Sequence, residues 1–347
     1  MKFSFSTLPR EAAGDFLMTA QRAEAAGIDA LWIPDDTLLP DPFVLTGAIA
    51  AATSRIGIGI GIADPAVRHP LQIARGAAAL ADLRQDGVIL GLGSGSARGR
   101  AAVGASEDRP AQTMRSAVLA LKALIAGESV TMEAPAFRLD RARLRRLPPH
   151  PVEIVVAARD VSMVRLASEV ADGVVVEAAA TPEAVEGVRT WLAEARPAGA
   201  PPAGIVAWNL VLCTDDLPGV HAVLRRNIGR TIADLGEGFA ELHGLDPDTV
   251  AAIRAAVEQD DRSRLSCLLT AETIDRLVIA GRPEHCAERI LELEAAGLDM
   301  LAVRPCLEMA TWTDFERMVQ ELWGALSDRR RASRDPLEIL APTGGRT

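Results

Sequence analysis

Tyrosine is absent, and aromatic residues make up only 3% of the chain. The usual platforms for stacking unpaired bases are therefore missing. Positive charge is also scarce: 37 Lys and Arg stand against 47 Asp and Glu, a formal net charge of −10. A dedicated nucleic-acid binder draws its affinity from basic side chains meeting phosphates, so that class is set aside. The four Cys, at 213, 267, 286 and 306, form no CxxC pair. They suggest neither a disulfide framework nor a zinc ribbon, and reduced thiols in a cytoplasmic protein are expected. The five His fall at no metal-ligand spacing with carboxylates, and no metal is expected. No apolar run reaches the length of about 18 residues that a membrane span needs. The N-terminal MKFSFSTLPREAAGD lacks the pattern of a signal peptide.

What the sequence does contain is a globular composition, 49% hydrophobic over 347 residues, built largely on Ala, Val, Ile and Leu. Short β-rich runs alternate with longer amphipathic segments. Strands are expected at Lys2–Ser6, Ala30–Ile33, 55–62, 87–92, 152–157, Gly173–Glu177, 205–213 and 300–303. Helices are expected at 10–26, 42–53, 69–84, 111–126, 161–171, 182–195, much of 216–260, 283–296 and 313–326. Strands that alternate with helices imply parallel βαβ units, and eight in succession imply an α/β fold of the (β/α)8 TIM barrel type. The expected organisation is one barrel domain over 1–327 with insertions in the βα loops at about 96–112, 128–150 and 225–280, and a flexible tail at 328–347.

Familiar nucleotide and hydrolase motifs are not met. Gly91-Leu-Gly93-Ser-Gly95-Ser-Ala-Arg98-Gly99 satisfies GxGxxG in no register and is followed by no GK[ST]. There is no GxSxG elbow. Polar residues instead recur just after strands: Asp35 and Asp36, then Asp64, then Ser94, Gly95 and Ser96, then Arg159 and Asp160, then Glu177 and Arg304. In a barrel these positions converge on one mouth.

Several segments, in order, resemble the bacterial-luciferase-like family of flavin- and deazaflavin-dependent oxidoreductases. They are AEAAGIDALWIPDD, TSRIGIGIGIADPAVRHPLQIARGAAALADL, GVILGLGSGSA, VEIVVAARDVSMVRLASEVADGVVVEA and AGRPEHCAERILELEAAGLDMLAVRP. The branch they resemble most includes the methylenetetrahydromethanopterin reductases. That resemblance implies the deazaflavin coenzyme F420, a small-molecule substrate, hydride transfer and a homodimer. It leaves two alternatives: an FMN-dependent monooxygenase using reduced flavin and O2, and a non-catalytic flavin-binding barrel.

The same resemblance assigns roles. In deazaflavin-binding relatives the position of Gly61-Ile62 carries a non-proline cis peptide, a bulge behind the cofactor ring. Asp64 lies just beyond it, where it either faces the ring or serves the Asp-Pro turn. Ser94 and Gly95 match a loop that contacts cofactor, and they also suit a tight turn. Ser96 stands where some relatives carry a Glu. Arg159 suits the coenzyme's phosphodiester at a helix N-terminus, or else a surface ion pair; Asp160 suits an N-cap. Asp36 occupies the place of a His in many relatives and is the first candidate for acid/base work, with Glu177 the second. The bland reading of Asp36 is a loop carboxylate accepting a backbone hydrogen bond. Trp32 and Trp208 read as core or pocket wall.

Overall fold

In the computed structural model, described for residues 1–6, 12–105, 109–236, 238–304 and 312–332, the chain forms a closed (β/α)8 barrel. The strands in chain order are β1 (Lys2–Ser6), β2 (Ala30–Ile33), β3 (Gly57–Ala63), β4 (Val88–Leu92), β5 (Val130–Glu133), β6 (Arg138–Ala142), β7 (Val152–Ala158), β8 (Gly173–Glu177), β9 (Gly204–Cys213), β10 (Ile279–Gly281) and β11 (Met300–Arg304). Eight of them are barrel staves, in the order β1, β2, β3, β4, β7, β8, β9, β11, and β11 returns to pair with β1. All these pairings are parallel, as right-handed crossovers through helices require.

The helices between staves are α1 (Ala13–Ala25), α2 (Pro42–Ala52), α3 (Pro70–Leu83), α4 (Ala97–Ala102), α5 (Pro110–Ile125), α6 (Val161–Val170) and α7 (Pro182–Ala195). After β9 come α8 (Leu217–Asp234), α9 (Phe239–Leu242), α10 (Pro247–Glu258), α11 (Arg262–Leu268) and α12 (Ala271–Asp275), then α13 (Pro283–Ala295) and α14 (Trp312–Ala332). Several start on a polar cap followed by proline at the first helical position. Asp41 accepts from the amides of Phe43 and Val44 before Pro42 begins α2, and Thr181 does the same for Ala184 before α7.

The expected staves are all present, with ends shifted by a residue or two. Three strands outside the barrel were not anticipated. The insertion at 128–150 contains the antiparallel hairpin β5–β6. The third, β10, pairs with the far end of β9, whose ten residues first serve the barrel and then diverge from it. The last helix continues six residues past its expected end: in α14 Arg329 pairs with Glu288 at 2.5 Å and Arg330 with Glu294 at 3.1 Å. The rest of the expected tail, 333–347, lies outside the described residues.

Inside the barrel Trp32, Val155, Val175, Val206, Met300 and Ala302 make one buried cluster. Two of the alternate glycines of β3, Gly59 and Gly61, make room for Trp32. A Cβ on Gly59 would lie 2.5 Å from its indole ring, and one on Gly61 would lie 2.8 Å from Trp32 and 2.9 Å from Trp208. The two indoles meet edge to face at 5.8 Å between centroids, so they plug the barrel beneath the mouth. The larger core lies outside, where residues such as Ile73, Leu121, Val164, Val188 and Ile290 pack the helices on the staves.

Candidate functional site

The loop after β2 presents Asp35 and Asp36. Asp35 accepts from Arg68 twice, Nε at 2.8 Å and Nη2 at 3.0 Å, and the same Nη2 donates to Asp41 at 2.9 Å. The fork geometry fixes Arg68, whose guanidinium lies 5.0 Å over the Phe43 ring. Asp36 is half-buried, and its Oδ1 accepts from the Leu38 amide at 2.9 Å. This is the loop-carboxylate geometry that the sequence reading kept open.

The next stave, β3, carries a bulge. Ile60 pairs with Leu90 and Ala63 with Leu92, so Gly61 and Ile62 together face only Gly91. The peptide between Gly61 and Ile62 is cis. The Ile62 side chain lies across Gly91 of β4 and Gly93 just beyond it: a Cβ on Gly93 would stand 2.2 Å from Ile62 Cδ1. Asp64 follows, only 5% exposed. Its Oδ1 accepts from the Ala66 amide at 2.9 Å, which closes the Asp-Pro turn. Its Oδ2 is buried and has no hydrogen-bond partner. Arg100 Nη1 approaches Oδ2 to 3.7 Å, too long for a hydrogen bond. Burial is the largest influence on this carboxyl and pushes its pKa up; the Ala66 amide and Arg100 oppose it, and Asp35 adds to the push.

Gly95 lies against that oxygen, since a Cβ there would come within 3.2 Å of Asp64 Oδ2. Ser94 and Gly95 are both half-buried. Ser96 caps α4 by accepting from the Gly99 amide at 2.9 Å. Gly99 in turn lets Thr37 close in, its own hypothetical Cβ only 2.7 Å from Thr37 Oγ1. The loops after β2 and β4 thus meet above the end of β3.

A second cluster gathers at the ends of β7, β8 and β11. Glu177 Oε1 accepts from Arg304 Nη1 at 2.6 Å, and its Oε2 lies 3.3 Å from Arg159 Nη2. Arg159 Nη1 also donates to Asp234 of α8 at 3.0 Å. Asp160 caps α6 by accepting from the Met163 amide at 2.8 Å. The excursion after β9 presses on this corner: the Gly236 amide donates to the Arg159 carbonyl at 2.8 Å. Side chains are excluded there, since Cβ atoms on Gly236 and Gly238 would lie 2.6 Å from Asp160 and 2.4 Å from Val161.

The sequence-predicted residues therefore fall into two groups. Gly61, Ile62, Asp64 and Gly95 meet at β3 and β4, and Arg159, Asp160 and Glu177 meet at β7 and β8. Asp36 is engaged by its own loop. Arg68, Arg100 and Asp234 were missed, since nothing in a sequence marks which arginine or carboxylate will answer a charge 30 to 75 residues away. Among the described residues no cluster of His, Cys, Asp or Glu suits a metal ion, and no helix is long and apolar enough to cross a membrane. A groove of about 610 Å³ runs along the outer face of α3 beside Arg143, Leu144, Arg145 and Arg146. It is separate from the strand ends and their ionisable groups.

Eight parallel staves closed on themselves, with two ionisable clusters at their carboxyl ends, define a (β/α)8 barrel with an active-site-like mouth. The chain belongs to the luciferase-like monooxygenase family, whose pattern it matches over residues 1–300. It is 27% identical over 304 residues to a 5,10-methylenetetrahydromethanopterin reductase of Methanolobus tindarius, covering 87% of this chain and 93% of that protein. It is 27% identical over 348 residues to an F420-dependent glucose-6-phosphate dehydrogenase of Beutenbergia cavernae, covering 91% and 94%. Its fold is similar to that of the coenzyme F420-dependent tetrahydromethanopterin reductase of Methanopyrus kandleri, with a TM-score of 0.77 at 21% identity over 94% of this chain and 99% of that one.

Proposed function

We propose that the barrel mouth holds a deazaflavin of the F420 type and that the protein passes hydride between it and a small organic substrate. The observation that carries this reading is the cradle at β3 and β4. A bulged strand, Gly93 under the Ile62 side chain, Gly95 against Asp64, and the buried, unpartnered Asp64 Oδ2 gather at one strand end, where polar capacity is left unused. Relatives described above that are F420-dependent by name support the choice of cofactor. A bound deazaflavin supplies the hydride chemistry at its C5 carbon.

The chain's own residues do the rest. Gly61 and Ile62 back the ring, and Asp64, Ser94 and Gly95 line its edge. Arg159 meets the phosphodiester at the start of α6, where Asp160 already satisfies the Met163 amide. Both Glu177 oxygens are engaged by guanidinium groups, so Glu177 holds Arg159 and Arg304 in position. Asp36, tied only through a hydrogen bond within its own loop, is the residue we assign to move the proton that accompanies hydride transfer. The excursion at 225–280 shapes the substrate side of the mouth.

Titration with F420 and with FMN, followed by fluorescence, tests the cofactor. F420 binding without FMN binding is expected. FMN binding alone replaces this reading with a reduced-flavin monooxygenase, and binding without turnover makes the barrel non-catalytic. Asp36→Asn is expected to lower turnover on the order of 10²–10⁴ with cofactor affinity little changed; normal turnover moves the proton role to Glu177. We also propose a homodimer, as the family resemblance implies. Sedimentation at the monomer mass overturns that assembly.

A further inference from the structure

Asp64 presents an unresolved demand. One carboxyl oxygen accepts from the Ala66 amide at 2.9 Å, and the other is buried with no donor in hydrogen-bond geometry. A buried carboxylate oxygen without a donor is costly, and native structures nearly always satisfy such atoms. The charged and titratable groups around it are few. Arg100 of α4 lies 3.7 Å away. Asp35, from the loop after β2, is a second acid, itself clasped by Arg68. The Gly95 amide is near enough to favour the charged form slightly, yet completes no bond. Ala63 and Leu92, at the ends of β3 and β4, are fully buried and pair in register beside it. A carboxyl in that setting is satisfied in one of two ways: a ligand N–H donates to it, or it keeps a proton and donates to a ligand acceptor.

We propose that Asp64 carries its proton on Oδ2 and donates it in a hydrogen bond to a carbonyl or ring nitrogen at the edge of the bound heteroaromatic ring. This rests on the cofactor reading above. Two observations favour the acid over the carboxylate, near-complete burial and the second carboxylate of Asp35; against them, Arg100 comes no nearer than 3.7 Å and makes no hydrogen bond to Oδ2. Keeping an acid neutral in an apolar pocket so that it can donate is a known use of burial. Hydride addition to a ring carbon pushes electron density towards the ring's carbonyl and nitrogen edge. A donor fixed there strengthens its bond as the charge develops. Gly95 completes the arrangement, because a side chain at that position would close on Oδ2 at 3.2 Å and block the ring's approach.

The test uses the full chain and oxidised F420. Dissociation constants are measured from about pH 6 to pH 9 for the wild type, Asp64→Asn and Asp64→Ala, with melting temperatures recorded for each. Affinity ratios between variants at each pH cancel the titration of the ligand itself. Asn keeps a donor that does not titrate, so its affinity should match the wild type wherever Asp64 holds its proton and exceed it by about tenfold wherever the proton is lost. Asp64→Ala should bind about tenfold more weakly than Asn throughout the range. Infrared difference spectra of the ligand-free protein provide a readout independent of binding. A protonated-carboxyl C=O band should shift in D2O and vanish in Asp64→Asn. Equal affinities for all three proteins with no such band overturn the proposal while leaving F420 binding intact. Failure of every protein to bind F420 overturns the cofactor reading and this inference together.

Discussion

His243 ties the stability of the helical excursion to pH. It follows α9 and is 2% exposed, with its Nδ1 buried and unpartnered. Arg276 lies close by, its guanidinium 3.2 Å from where a Cβ on Gly244 would stand. Burial first, and Arg276 second, press the imidazole pKa down to about 4 from an ordinary 6.5. Protons then bind the unfolded chain before they bind the folded one. Stability is unaffected by this group above neutrality, falls as pH drops from 6.5 to 4, and levels off below that. A gap of about two and a half pKa units amounts to about 3 kcal/mol in full, of which roughly 2.4 kcal/mol is lost between pH 7 and about pH 4.5. Urea unfolding of the wild type and His243→Phe across that range isolates the contribution, since other titrating groups are common to both. Protection of the amides at 239–245 against hydrogen exchange, taken relative to the intrinsic rate at each pH, should fall in the acid range in the wild type alone. Parallel stability curves for the two proteins, with unchanged exchange, refute the reasoning.

The tryptophan plug predicts that Gly59→Val costs about 1–3 kcal/mol by overpacking against Trp32. Trp32→Leu in the same chain should recover part of the loss; an undiminished melting temperature for Gly59→Val removes the plug as the reason for the glycine. Thiol reactivity should be uneven among the three described cysteines. Exposed Cys267 reacts first with Ellman's reagent. Cys213, whose thiol pKa is raised by its neighbour Cys286 and by burial, and fully buried Cys286 should wait for unfolding. Rapid labelling of Cys213 in the folded protein contradicts that order.

Much of the barrel was readable because strand and helix here have opposite signatures. ALWI at β2 is a short, wholly buried run, and GVVVE at β8 is buried up to its final Glu177, and both staves appeared where those runs occur. The hairpin at 130–142 was missed because its burial alternates only weakly and its strands carry as many charged as apolar residues. The third extra strand, β10, is three residues long and owes its existence to the tail of β9. At the mouth, local chemistry was legible: Asp160 caps the helix that follows it, and Gly61-Ile62 sits in a bulge. Partnerships were not. Glu177 meets Arg159 and Arg304 only because closure brings β7, β8 and β11 to one rim, and Asp64 meets Arg100 only across a loop.

The forked end of β9 has an evolutionary consequence. Where the excursion leaves and returns, Cys213 and Gly281 are register partners, and the Thr214 amide donates to the Gly281 carbonyl at 2.7 Å. Its helices also share a hydrophobic cluster of their own, including Val220, Leu224, Ile228, Ile253, Leu265 and Ile274. A segment whose two ends are pinned together imposes almost the same closure entropy on the barrel whatever its length, since that cost grows only logarithmically. Lineages can therefore lengthen, trim or replace this segment without retuning the staves beneath it. Changes of length within the excursion cost the barrel little, provided that the contacts of Asp234, Gly236 and Gly238 with Arg159, Asp160 and Val161 are kept.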